Sequence, residues 1–81
     1  MTEKPLSEII TANLRQEILL SGKSKGRIAR EIDVAPATLS QYLSGRILPS
    51  LPTFARLCAA LDCSADEILN VKAITASHDN E

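Results

Sequence analysis

Aromatic side chains are almost missing from the 81-residue chain, which has Tyr42, Phe54 and no tryptophan. This argues against modules that hold unpaired bases on aromatic platforms. The core is left to Leu, Ile, Val and Ala, a set that favours helices. Histidine occurs once, as His78, near the end of the chain. There, nothing rigid would hold it in a triad or an acid–base pair, so no enzymatic activity is expected. The two cysteines, Cys58 and Cys63, are too few for a disulfide-stapled scaffold. With His78 they fall one ligand short of a structural zinc site and have unusual spacing for one, so no metal or cofactor is expected, and Cys58 reads as a small buried hydrophobe. No glycine-rich phosphate loop exists, since Gly22 and Gly26 flank a helix start. A long apolar run is also lacking. The expectation is therefore a cytoplasmic protein with neither a signal peptide nor a membrane span.

What remains is a short chain with 44% hydrophobic and 23% charged residues, the composition of one folding globular domain. Its net charge is −1, the wrong overall sign for a nucleic-acid binder. The charges are segregated, however. Between residues 21 and 50 stand Lys23, Lys25, Arg27, Arg30 and Arg46 against only Glu31 and Asp33, whereas the last third is acidic.

Five helices are predicted. Leu6, Ile10, Leu14 and Ile18 recur every fourth position, with Ile9 and Leu19 widening the stripe, so helix 1 runs from about Pro5 to Leu20 and stops before Gly22. Ser24 caps a short helix 2 from Lys25 to Ile32, with Ile28, Ala29 and Ile32 inward. Pro36 suits the first position of helix 3, which carries Leu39, Tyr42 and Leu43 and ends at Gly45. Ser50 caps helix 4, whose inner face is read as Leu51, Phe54, Leu57, Cys58 and Leu61. Ser64 and Glu67 form a capping box for helix 5, which ends near Leu69 or Asn70. From Val71 the pattern fades. Residues 1–70 are thus expected to be one all-α domain and 71–81 a loose tail, with Val71 and Ile74 as the alternative, a docking segment for a second subunit.

Two short helices separated by Asp33-Val34-Ala35, with the small Ala29 at the crossing, describe a helix-turn-helix over about 24–45. The stretch from about Ile10 to Leu69 resembles the Cro and phage-repressor type of helix-turn-helix domain, the XRE family. The resemblance is carried by Asn13-Leu14-Arg15, Ile28-Ala29-Arg30-Glu31-Ile32 and the run from Val34 to Arg46, and is completed by Pro49-Ser50-Leu51, Leu57 to Leu61 and Ser64 to Leu69.

That resemblance implies a compact five-helix, lambda-repressor-like DNA-binding domain that places helix 3 in the major groove of double-stranded DNA. The base-reading positions would be Pro36, Ala37, Ser40 and Gln41. Of these, Gln41 is the strongest, because one amide offers a donor and an acceptor together to adenine. Phosphates would be met by Lys25, which falls where the family often has Gln, and by Arg27, Ser44 and Arg46, with Thr38 and Lys23 further candidates. Amides at the N-termini of helices 2 and 3 would assist. Arg30 with Glu31 reads as solvated surface charge. A homodimer on two half-sites is implied, acting as a transcriptional regulator of the repressor kind, with no small-molecule ligand. Two departures from the family stand out. Leu43 and Ile18 fall where relatives pair Glu with Arg, which reads as an ion pair exchanged for an apolar contact. Pro36 falls where polar base readers are common. The rival reading is a protein-interaction module on the same fold without DNA binding.

Overall fold

The computed structural model describes residues 5–71. Among them are five helices and no strand: α1 (Leu6–Ser21), α2 (Lys25–Glu31), α3 (Pro36–Ser44), α4 (Leu51–Leu61) and α5 (Ala65–Leu69). This is the all-α, lambda-repressor-like arrangement expected from the sequence. α1 packs on α3, α4 and α5, while α2 lies against α3 and α4. Ile28, Ile32, Leu39, Leu57 and Ile68 fill the centre, with Leu14, Ile18, Ala29, Tyr42, Leu43 and Leu61 around them.

Every helix stops at or just before a residue in the left-handed region. The stops are Gly22 (φ 73°), Asp33 (φ 62°), Gly45 (φ 82°), Asp62 (φ 54°) and Asn70 (φ 55°). Three of these ends share one hydrogen-bond pattern. The N–H of Val34, Arg46 and Cys63 donates to the carbonyl five residues back, on Ala29, Gln41 and Cys58. The residue before each donates three residues back, which makes a Schellman motif. In the helix-turn-helix turn this places Val34, half-buried, over Ala29, a hydrophobic clasp that fixes how the chain enters α3. The starts are capped as anticipated. Ser24 accepts from the Arg27 amide, Ser50 from Thr53, and Ser64 with Glu67 closes both halves of a capping box.

Three residues placed on inner faces are instead exposed: Leu6, Leu19 and Leu51. A comb of every fourth residue turns by about 400° per step, so it precesses by roughly 40° each time. From Ile18 back to Leu6 it leaves the packed face. The buried line is Thr11, Leu14 and Ile18. Leu51 lies about 120° around α4 from Leu57, and Thr53 takes the buried position in its place. On α5, Ile68 is wholly buried and Leu69 half-buried. Val71 is exposed and tied through its N–H to Asp66 Oδ1 at 2.9 Å. Ile74, His78 and the rest of the expected tail lie outside the described residues.

Candidate nucleic-acid interface

On α3, Leu39, Tyr42 and Leu43 are buried between α1 and α2, and the helical repeat turns the residues beside them outward. Pro36, Ala37, Ser40, Gln41 and Ser44 are all exposed, and Thr38 is half-buried at the edge. Pro36 occupies the first turn, where it removes no helical hydrogen bond. α3 contains no acidic residue. Among the described residues, the side chains of Ser40 and Gln41 make no intramolecular hydrogen bond, so their donors and acceptors face solvent unused. At the far end, Ser44 Oγ donates to the Gln41 carbonyl at 3.1 Å, and the Arg46 amide bonds the same carbonyl at 3.1 Å. Both interactions leave the Arg46 guanidinium exposed.

The cationic residues of the segment 21–50 divide into two groups. Lys25, Arg30 and Arg46 are exposed and, among the described residues, form no ion pair. Lys23 and Arg27 converge on one carboxylate. Lys23 Nζ lies 2.9 Å from Glu31 Oε1, and Arg27 Nε lies 2.9 Å from Glu31 Oε2. The hydrogen bond from Lys23, then that from Arg27, holds the Glu31 carboxyl below its ordinary value of 4.5. Lys23 also donates to the Ala60 carbonyl at 2.6 Å, which fastens the α1–α2 link to α4. Its ammonium is thereby committed within the protein. Arg30 and Glu31, read from sequence as surface charge, are both exposed, and Glu31 takes Arg27 as its partner on α2 because residues four apart on a helix meet.

Two anchors were not foreseen from sequence. Arg15 Nε donates to the Leu43 carbonyl at 2.6 Å, so α1 still sends an arginine to the end of α3, though to backbone rather than to a carboxylate. Ile18 and Leu43 are both buried in the core, in keeping with the apolar exchange inferred for them. Asn13 Nδ2 donates to the Ile68 carbonyl at 2.8 Å, tying α1 to α5. Both residues stood within the family-like Asn13-Leu14-Arg15 run, but a side chain's reach to a distant carbonyl leaves no periodic trace.

Away from this face, Cys58 and Cys63 are free and half-buried. Burial raises both thiols, that of Cys63 to about 11. Among the described residues no group of three potential metal ligands occurs, and no helix is long and apolar enough to cross a membrane.

An outward helix bare of acids, set on a second short helix by a clasped turn and flanked by exposed cations, defines a DNA-binding regulator domain of the helix-turn-helix class. A family model described as helix-turn-helix matches residues 14–68. The chain belongs to that family, in its XRE branch. Comparison with curated proteins and with solved structures gives no match.

Proposed function

We propose that the protein is a sequence-specific regulator of transcription, a repressor that lays α3 in the major groove. The observation that carries this reading is the exposed and unpartnered pair Ser40 and Gln41 on a helix without acids. Gln41 reads adenine through its N6 and N7 edge, Ser40 adapts to either donor or acceptor, and Ala37 and Pro36 offer apolar contact to a thymine methyl. Lys25, Arg27 and Arg46 neutralise phosphates around this surface, and Ser44 and Thr38 add hydroxyl contacts. Lys23, although a candidate from sequence, serves the Glu31 and Ala60 contacts first.

Four outward side chains give a thin reading surface, so the active unit is a homodimer whose two α3 helices enter successive grooves ~34 Å apart. The exposed apolar residues nearest α3 in sequence, Ile47, Leu48 and Leu51, are available to a second copy. Such a dimer on a promoter would exclude polymerase. Residues 1–70 are the DNA-binding unit in this proposal, with 24–45 as its helix-turn-helix.

Selection of bound duplexes from a random pool tests the whole reading, because it returns the motif, the half-site spacing and the symmetry together. A two-fold symmetric motif with half-sites about one helical turn apart is expected. Recovery of random sequence would refute specific recognition. Gln41→Ala should cost about 1–3 kcal/mol at one base position and relax the preference there. An unchanged motif would show that Gln41 does not read a base.

A further inference from the structure

Arg27 belongs to the proposed phosphate-binding cluster, yet its guanidinium already has an anionic partner. Glu31 lies one turn along on the same exposed face of α2, with Oε2 2.9 Å from Arg27 Nε. The side chain of Arg27 is 57% exposed, so its remaining N–H groups open to solvent from a pair that is only partly shielded. Glu31's other oxygen takes Lys23 at 2.9 Å. A carboxylate bridging two cations in this way offers each what a phosphodiester oxygen would offer, namely a negative oxygen within hydrogen-bond distance of the charged donor. Glu31 is also one of only two acids in the basic segment 21–50. The other, Asp33, stands at the left-handed turn position, a place that its short side chain tolerates.

We propose that Glu31 is a built-in substitute for phosphate: it occupies Arg27 in the free protein and yields it when DNA arrives, thereby limiting how strongly the domain grips DNA of any sequence. The proposal rests on the DNA-binding reading above and adds a governor to that surface. The two cations respond differently. Lys23 is also anchored on the Ala60 carbonyl and stays in place, while Arg27 has Glu31 as its only ion-pair partner among the described residues and can swing outward. The exchange sacrifices one exposed ion pair and releases one more counterion from the duplex. Non-specific affinity is thereby held down, and base contacts decide a larger share of the total.

The test is a double-mutant cycle on the full chain with Glu31→Gln, Arg27→Ala and the pair, titrated against a random-sequence 20-base-pair duplex over a range of salt. The substituted amide keeps an oxygen to accept from Lys23, so the α1–α2 anchor is preserved. Glu31→Gln should tighten binding roughly 1.5- to 5-fold at low salt, the weight of one exposed pair. The log–log salt slope should stay the same, because Arg27 meets a phosphate in both complexes, whereas Arg27→Ala should flatten it by about 0.9. Arg27→Ala should weaken binding more when combined with Glu31→Gln than in the original protein. A simple loss of negative charge would act equally in both backgrounds, so an uncoupled cycle overturns the proposal. A second measurement needs no variant: the Glu31 carboxyl, followed by carbon NMR, should titrate higher in the DNA complex than in the free protein. An unchanged titration refutes the exchange. If the original protein binds no duplex at all, the DNA reading falls, and this inference falls with it; binding without coupling removes the inference alone.

Discussion

Thr11 sits in the middle of α1 and is buried, and its Oγ1 has no hydrogen-bond partner among the described residues. A Cβ added at Gly45, just past the end of α3, would lie 3.7 Å from that hydroxyl. A buried hydroxyl without a partner carries its full desolvation cost. Thr11→Val keeps the shape and removes the polar atom, so it should raise stability by about 1 kcal/mol in urea unfolding, with the m-value unchanged. A loss of stability would mean that the hydroxyl is satisfied. This position also marks a limit of sequence reading. Threonine scores as polar, so the apolar comb passed over it and selected Leu6, which the structure exposes. By contrast, Leu39, Tyr42 and Leu43 were legible because α3 is short and its apolar residues cluster on one side. The outward positions Ser40 and Gln41 followed from that clustering. The hydrogen bond of Arg15 to the Leu43 carbonyl and the bridge from Lys23 to Ala60 were not legible, since each joins residues far apart in sequence through a long side chain.

At the scale of elements, boundaries were readable wherever their chemistry is local. Serine caps opened α2, α4 and α5 where expected, and Gly22 and Gly45 closed α1 and α3. The turn of the helix-turn-helix was also placed, at Asp33-Val34-Ala35, although Asp33 fills a left-handed site that more often signals itself with glycine. α2 is weakened by a glycine. Gly26 lies in its first turn, and a Cβ placed there would meet no atom within 4 Å. Gly26→Ala should therefore stabilise the domain by about 0.5–1 kcal/mol, read as a higher urea midpoint. The same methyl would stand at the helix start where phosphate is proposed to approach, so DNA affinity should fall as stability rises. If both rise together, the backbone at Gly26 does not face the duplex.

For the whole molecule, Glu31 and Cys63 make folding depend on pH at opposite ends of the range. The Glu31 carboxyl is held below 4.5 by Lys23 and Arg27, so its contribution is present above that value and disappears as pH falls through the lower folded value. Cys63 behaves in the opposite sense. Burial first, then the nearby Cys58, Glu17 and Glu67, raise its thiol from 9.0 to about 11. Its contribution is complete below 9.0 and is lost as pH climbs to about 11. Urea midpoints measured from about pH 3 to about pH 11 should form a plateau with a decline at each end. Cys63→Ser should blunt the alkaline decline and Glu31→Gln the acid one. A profile unmoved by Cys63→Ser would assign the alkaline limit elsewhere.

The division of α3 into a packed side and a vacant side has an evolutionary corollary. Leu39, Tyr42 and Leu43 are pinned by neighbouring helices, whereas the side chains of Ala37, Ser40 and Gln41 are exposed and outside the core. Mutational drift at those three sites is nearly free of folding penalties, so under the proposed base readout descendants of this gene would acquire new target sites while inheriting the scaffold intact.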